Sequence, residues 1–188
     1  MNRSTTRLLC VGFAVSVILT SACGGGKVSG AAAQWADSLC SNTSSLLGTM
    51  QKGVDGVLKA RLAATVSDAN SASGQPLKDV QAGIEKIDEV FSSTDIVGTP
   101  MEAVRNKIGK QLKNVYPVYD AIDAFSAVAK SATSTTALDK PLSDLSLSIG
   151  GAAQGVKDLK AAIVVFKLDK DKKIAAAFSS APQCKKLK

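Results

Sequence analysis

The four cysteines of this 188-residue chain, Cys10, Cys23, Cys40 and Cys184, are the residues whose types and positions say most about chemistry. A cysteine side chain can be acylated, form a disulfide, bind a metal or act as a nucleophile, depending on its neighbours and its compartment. The sequence contains no histidine. Since histidine is the commonest general base and the usual zinc ligand, we expect no histidine-based triad, no bound metal and no cofactor.

The segment before Cys23 has the three parts of an export signal. Arg3 and Arg7 give it a positive start, Leu8 to Leu19 is almost entirely apolar, and three small residues follow. A permanent membrane span requires about 20 apolar residues, and this run is shorter. We therefore predict a cleaved signal peptide over residues 1–22. If cleavage occurred elsewhere, Cys23 would be left as an unpaired thiol outside the cytoplasm.

The stretch Leu19-Thr20-Ser21-Ala22-Cys23 resembles the lipobox of bacterial lipoproteins, although Thr20 stands where that family prefers leucine. The resemblance implies that Cys23 is acylated on sulfur and becomes the first residue of the mature protein. The glycine-rich stretch after it and a cysteine near each end of an Ala/Ser/Thr-rich body make the whole chain similar to small cell-envelope lipoproteins of actinobacteria. That similarity implies an all-helical domain, anchored to the cell membrane on its extracytoplasmic face, and supplies no catalytic residues.

The rest of the chain divides into a tether and one domain. Residues 23–30 are rich in glycine, and a coil of this length spans only about 15 Å. Residues 31–188 have the size of a single domain. Within that domain Cys40 and Cys184 are the only cysteines, and in an exported protein two remaining cysteines most simply pair. We predict a Cys40–Cys184 disulfide, because a reactive or metal-binding thiol pair has no supporting residues nearby.

Apolar residues recur at helical spacing of three and four along most of this domain. The pattern predicts an antiparallel, all-α bundle of four to five helices and shows no strand pattern. The expected helices run from Ala31 to a linker at Asn70–Gly74, from Pro76 to Phe91, from Pro100 to Lys130 with a kink at Pro117, from Leu138 to Phe166, and from Ile174 to Phe178.

A candidate ligand-binding site follows from the predicted kink. Bending the third helix at Pro117 would separate it from the fourth helix and open an apolar slot lined by Val115, Tyr116, Tyr119 and Ile122. The alternative is a fully packed core in which the two tyrosines cover the bend and direct their hydroxyls to water.

Charge and composition limit the function. After residue 22 the chain has 21 basic and 16 acidic side chains, which favours contact with anionic lipids or cell-wall polyanions over nucleic acid. We expect a non-catalytic binding module whose partner is an envelope protein or lipid, held at the membrane through Cys23. Two alternatives are a carrier of a lipid or amphiphile, and a cell-wall hydrolase with two carboxyl groups about 5–10 Å apart.

Overall fold

The computed structural model describes residues 30–187, so the predicted signal peptide, Cys23, most of the tether and Lys188 lie outside the described part of the chain. All the regular structure in that part is helical. Seven α-helices are α1 (Gly30–Arg61), α2 (Val66–Ser92), α3 (Pro100–Ile108), α4 (Pro117–Ser131), α5 (Asp139–Phe166), α6 (Lys172–Ser180) and α7 (Pro182–Lys186), and 3-10 segments span Gly109–Asn114 and Thr135–Leu138.

The helices form one compact antiparallel bundle, which confirms the predicted fold class. Helix α1 lies at its centre, in contact with α2 on one side and α5 on the other, and α4 packs beside α5. Residues at helical spacing on α1 are fully buried, among them Leu39, Leu46 and Met50. In the described residues, no helix combines the length and the hydropathy required to cross a bilayer.

Helix α2 begins ten residues earlier than the sequence pattern predicts, so the predicted linker at Asn70–Gly74 is wrong. The hydroxyl of Thr65 accepts a hydrogen bond from the backbone N–H of Asp68 at 3.1 Å and caps the helix. The small polar residues after it have weak helix propensity. Burial of Ala69, Ser73 and Leu77 stabilises the helix through tertiary contacts instead.

Pro76 lies inside α2 rather than at its start. A proline has no N–H to donate to the carbonyl of Ala72 one turn back, and its ring crowds that carbonyl. Gly56 of α1 lies directly opposite, where an added Cβ would be only 2.9 Å from the ring and 3.1 Å from the Ala72 oxygen. The absence of a side chain on Gly56 therefore lets α1 pack closely against the irregular part of α2.

The predicted third helix is two helices. Helix α3 ends at Ile108, a 3-10 segment follows, and Pro117 occupies the first turn of α4 instead of kinking a continuous helix. This position suits proline, since the first N–H groups of a helix have no intrahelical acceptor. The α-helical structure is therefore interrupted before Pro117.

The predicted disulfide is confirmed. Cys40 and Cys184 are bonded, with their Cα atoms 5.0 Å apart, and both residues are fully buried. Next to the bond, the backbone N–H of Gln183 donates to the carboxylate of Asp37 at 2.6 Å. These contacts attach the C-terminal segment to the first turns of α1.

Candidate functional site

A groove of about 280 Å³ lies on the surface between α2 and α4. The two helices run antiparallel and are joined mainly by side chains near the ends of their contact. At one end the Asn70 amide donates to the Ala129 carbonyl at 3.4 Å, and at the other the Tyr119 hydroxyl donates to the Gln81 carbonyl at 3.3 Å. Between these bridges the helices leave a space.

The floor of the groove is apolar. Leu77, Ile122 and Phe125 line it and are each less than 5% exposed. The absence of a side chain on Gly74 leaves space above this floor, because no described atom lies within 4 Å of the position that a Cβ would occupy there. A partner's apolar side chain placed here would bury itself against these residues and leave water.

Within the described part of the chain, one buried polar atom in the wall of the groove lacks a hydrogen-bond donor. The side-chain oxygen of Asn70 is buried and has no partner among the described residues, although the amide nitrogen of the same side chain is bonded. The neighbouring Ser73 hydroxyl donates to the Ala69 carbonyl at 2.8 Å and is thereby satisfied. Since an unpaired buried acceptor costs about 1–3 kcal/mol, the Asn70 oxygen favours a ligand that carries an N–H or O–H group.

The rim carries charged side chains. Lys78 of α2 and Lys130 of α4 are exposed beside the groove, as is Asp123 of α4. Two cations against one carboxylate give the rim a net positive charge. A ligand with a carboxylate next to its apolar part therefore complements this surface.

The structure places the four predicted ligand-binding residues in three environments. Only Ile122 lines the groove. Val115 is fully buried against Gly155 of α5, where an added Cβ would be 3.4 Å from the Val115 side chain. Close packing thus fills the position where an opening toward α5 was predicted, and the groove lies on the α2 side of α4 instead.

The two tyrosines contact α2 through their hydroxyls. The Tyr116 hydroxyl donates to the carboxylate of Asp88, while that of Tyr119 donates to Gln81. Burial raises the pKa of Tyr116, with further increases from its hydrogen bond to Asp88 and from the negative charge of that residue. Burial also raises the pKa of Tyr119, and the negative charges of Glu85 and Asp88 raise it further. The tyrosines therefore act here as neutral donors that join α4 to α2.

A second depression, of about 340 Å³, lies between α1 and α2 and includes two carboxylates, Glu89 and Asp95. Trp35 borders it but is 4% exposed, and its ring N–H donates to the Val90 carbonyl at 2.8 Å. A carboxylate hydrolase requires one carboxyl group held protonated by burial or by a neighbouring charge. Glu89 and Asp95 are both exposed to water, so neither of them is buried in this depression.

Comparison of the chain with protein-family models, with curated proteins and with solved structures finds no match.

Sequence reasoning missed the α2 side of the groove, because Asn70, Ser73 and Gly74 lie in the stretch predicted to be a linker. A usable signal was present in Thr65 and Asp68, whose spacing of three is that of a capping pair. That signal predicts a helix start before Asn70. It does not predict which helix packs opposite.

Proposed function

We propose that this protein is a lipid-anchored interaction module on the extracytoplasmic face of the cell membrane. The lipobox-like stretch ending at Cys23 supports the anchor. The Cys40–Cys184 disulfide supports an oxidising compartment, since such bonds are rare in the cytosol. The domain itself binds a partner without chemical conversion.

The partner is a polypeptide segment of another envelope protein, which inserts one apolar side chain between α2 and α4. The observation that carries this assignment is the buried Asn70 oxygen, which has no hydrogen-bond partner among residues 30–187 and lies beside an apolar floor. A backbone N–H of the inserted segment would supply the missing donor. An acidic residue next to the inserted side chain would lie near Lys78 and Lys130.

The groove suits a peptide better than a whole lipid. Pockets that enclose small molecules usually measure about 300–1,000 Å³, and this groove, at about 280 Å³, is at the lower end of that range and lies open on the surface. A carrier has to shield an acyl chain from water. The volume here accommodates one or two side chains.

Site-specific photocrosslinking in intact cells tests the proposal. A photoreactive amino acid replaces Ser126 in the groove, and a control protein carries it at Leu147, which is 74% exposed on α5. We expect one discrete protein adduct from Ser126 and none from Leu147. In the Ser126 background, Gly74→Trp should abolish the adduct by filling the groove, whereas Gly74→Ala should retain it.

Two outcomes contradict the assignment. An adduct of the same size from both positions, or one unaffected by Gly74→Trp in a folded protein, means that the groove is not the docking site. A lipid adduct from Ser126 without a protein adduct favours the carrier.

A further inference from the structure

The positive charge of the chain after residue 22 is concentrated at its C-terminal end. Residues 23–166 contain 14 basic and 14 acidic side chains, so they carry no net charge. Residues 167–188 contain seven lysines and two aspartates. The whole excess of five positive charges therefore belongs to the last 22 residues.

The fold gathers this charge into one surface, here called the basic end, whose described lysines are Lys167, Lys170, Lys172, Lys173, Lys185 and Lys186. The turn after α5 is joined to the C-terminal segment, because the Lys167 ammonium donates to the Leu187 carbonyl at 2.8 Å. The disulfide fixes the same segment to α1. Lysines distant in sequence thus share one end of the bundle.

The two aspartates of this segment have local structural roles. Asp171 caps α6 by accepting a hydrogen bond from the Lys173 backbone N–H at 2.8 Å. Asp169 accepts one from the Asp171 backbone N–H at 2.9 Å. Both carboxylates are thereby directed to backbone groups of the turn. The side chains of Lys170, Lys172 and Lys173 are exposed.

The basic end lies at the end of the bundle where α1 begins. Gly53 of α1 packs against Ile149 of the antiparallel helix α5. From this contact, Trp35 lies as many residues toward the start of α1 as Lys167 lies toward and past the end of α5. Because the rise per residue is the same in both helices, Trp35 and Lys167 lie at the same height along the bundle axis. Stacking of Phe178 on Phe166 and its edge contact with Trp35 agree with this alignment.

We infer that the basic end binds the anionic phospholipid surface of the membrane to which the protein is anchored; this rests on the lipid anchor proposed above. The tether predicted from the sequence would span about 15 Å, whereas α1 has 32 residues and is about 48 Å long. The anchor therefore keeps the start of α1, and with it the basic end, closest to the lipid head groups.

The apolar component of this surface is Leu168, which is 87% exposed among the lysines. Lysines near an anionic leaflet are attracted electrostatically, and an adjacent leucine inserts its side chain at the head-group boundary. Such docking would orient the bundle with its helices roughly perpendicular to the membrane. The α2–α4 groove would then lie on the side of the bundle and remain clear of the lipid surface.

Fluorescence quenching in vesicles tests the inference on the mature protein. Leu168→Trp introduces a fluorescent reporter in the basic end, and Leu147→Trp places the matched control toward the opposite end of α5. The native Trp35 is buried and present in both proteins. Brominated lipids should quench the Leu168→Trp protein in vesicles containing phosphatidylglycerol, much less in phosphatidylcholine alone. High salt should reverse this quenching. The control protein should remain unquenched.

Lys172→Ala with Lys173→Ala, added to the Leu168→Trp protein, removes two lysines and should weaken the binding of protein without its lipid to anionic vesicles roughly thirtyfold. Flotation of the vesicles separates the two proposals. Protein that floats with both vesicle types without quenching overturns the basic end and leaves the anchor. Protein that floats only with anionic vesicles supports the basic end and overturns the anchor.

Two further results overturn the inference. One is failure to float with either vesicle type, which also overturns the anchor. The other is retention on a column of polyphosphate without quenching by anionic vesicles, which assigns the basic end to cell-wall polyanions.

Discussion

The Cys40–Cys184 disulfide should be the largest single contribution to the stability of this domain. The bond joins residues 144 positions apart. Closing a loop of that length in the unfolded chain costs about 5 kcal/mol in the chain-entropy treatment, and measured losses for native disulfides are commonly 2–5 kcal/mol. Reduction should therefore lower the free energy of unfolding by roughly 4 kcal/mol.

Urea denaturation of the mature protein, monitored by the circular dichroism signal of its helices, measures this loss of stability. With a slope of roughly 2 kcal/mol per molar urea, 4 kcal/mol corresponds to a midpoint lower by about 2 M in the reduced protein. Reduction keeps every side-chain carbon in place, so the comparison isolates the bond. It should also loosen α7 from α1, because the hydrogen bond from Gln183 to Asp37 and apolar contacts then join these two helices without the covalent bond.

Cysteine substitutions provide the matched control. Cys40→Ala and Cys184→Ala each remove the bond, so the double variant should be little less stable than either single variant. If reduction moves the midpoint by less than about 0.5 M in protein whose bridge is verified by peptide mapping, the entropic argument is wrong. Equal and additive losses in the two single variants would also contradict it.

Three further predictions concern packing and ionisation. Gly74→Ala should raise the free energy of unfolding by about 0.5–1 kcal/mol, since alanine favours the helix and the added Cβ contacts no described atom. Gly56→Ala should lower the free energy of unfolding by about 1–3 kcal/mol, because the added Cβ clashes with α2. Equal effects of the two substitutions in urea denaturation would refute this packing. Thr43→Val should stabilise the domain by about 1 kcal/mol in the same assay, because its buried hydroxyl has no hydrogen-bond partner among the described residues; a loss of stability would contradict this. The pKa of Tyr116 is raised above the usual value of about 10, so the folded state retains the proton longer and stability should fall as the pH rises above 10. Asp88→Asn should shift the tyrosinate absorbance titration to lower pH, and an unchanged titration would contradict the contact with Asp88.

The sequence predicts the helical bundle well because the apolar spacing directly records which side of each helix is buried. Leu142, Leu145 and Ile149, for example, repeat at steps of three and four and are all buried. The Cys40–Cys184 pairing was predictable for a different reason, since only two cysteines remain after residue 23. Both inferences depend on local or countable properties of the chain.

The groove was less predictable because it depends on which helices are neighbours. Ile122 was predicted to line an opening toward α5, whereas the groove that it lines is completed by α2. Apolar spacing identifies a buried face without naming the helix that covers it. The contact of Tyr116 with Asp88 has the same origin, since these residues are brought together only by the antiparallel packing of α2 and α4.

The central proposal, a lipid-anchored protein, is tested most directly by fatty-acid labelling in cells. Labelled palmitate should enter the wild-type protein and the Cys10→Ala variant, whose substituted residue lies in the predicted signal peptide. Cys23→Ala should abolish the label and leave the uncleaved precursor. Continued labelling of Cys23→Ala, or an unlabelled wild-type protein that is nevertheless cleaved and exported, would contradict the proposal.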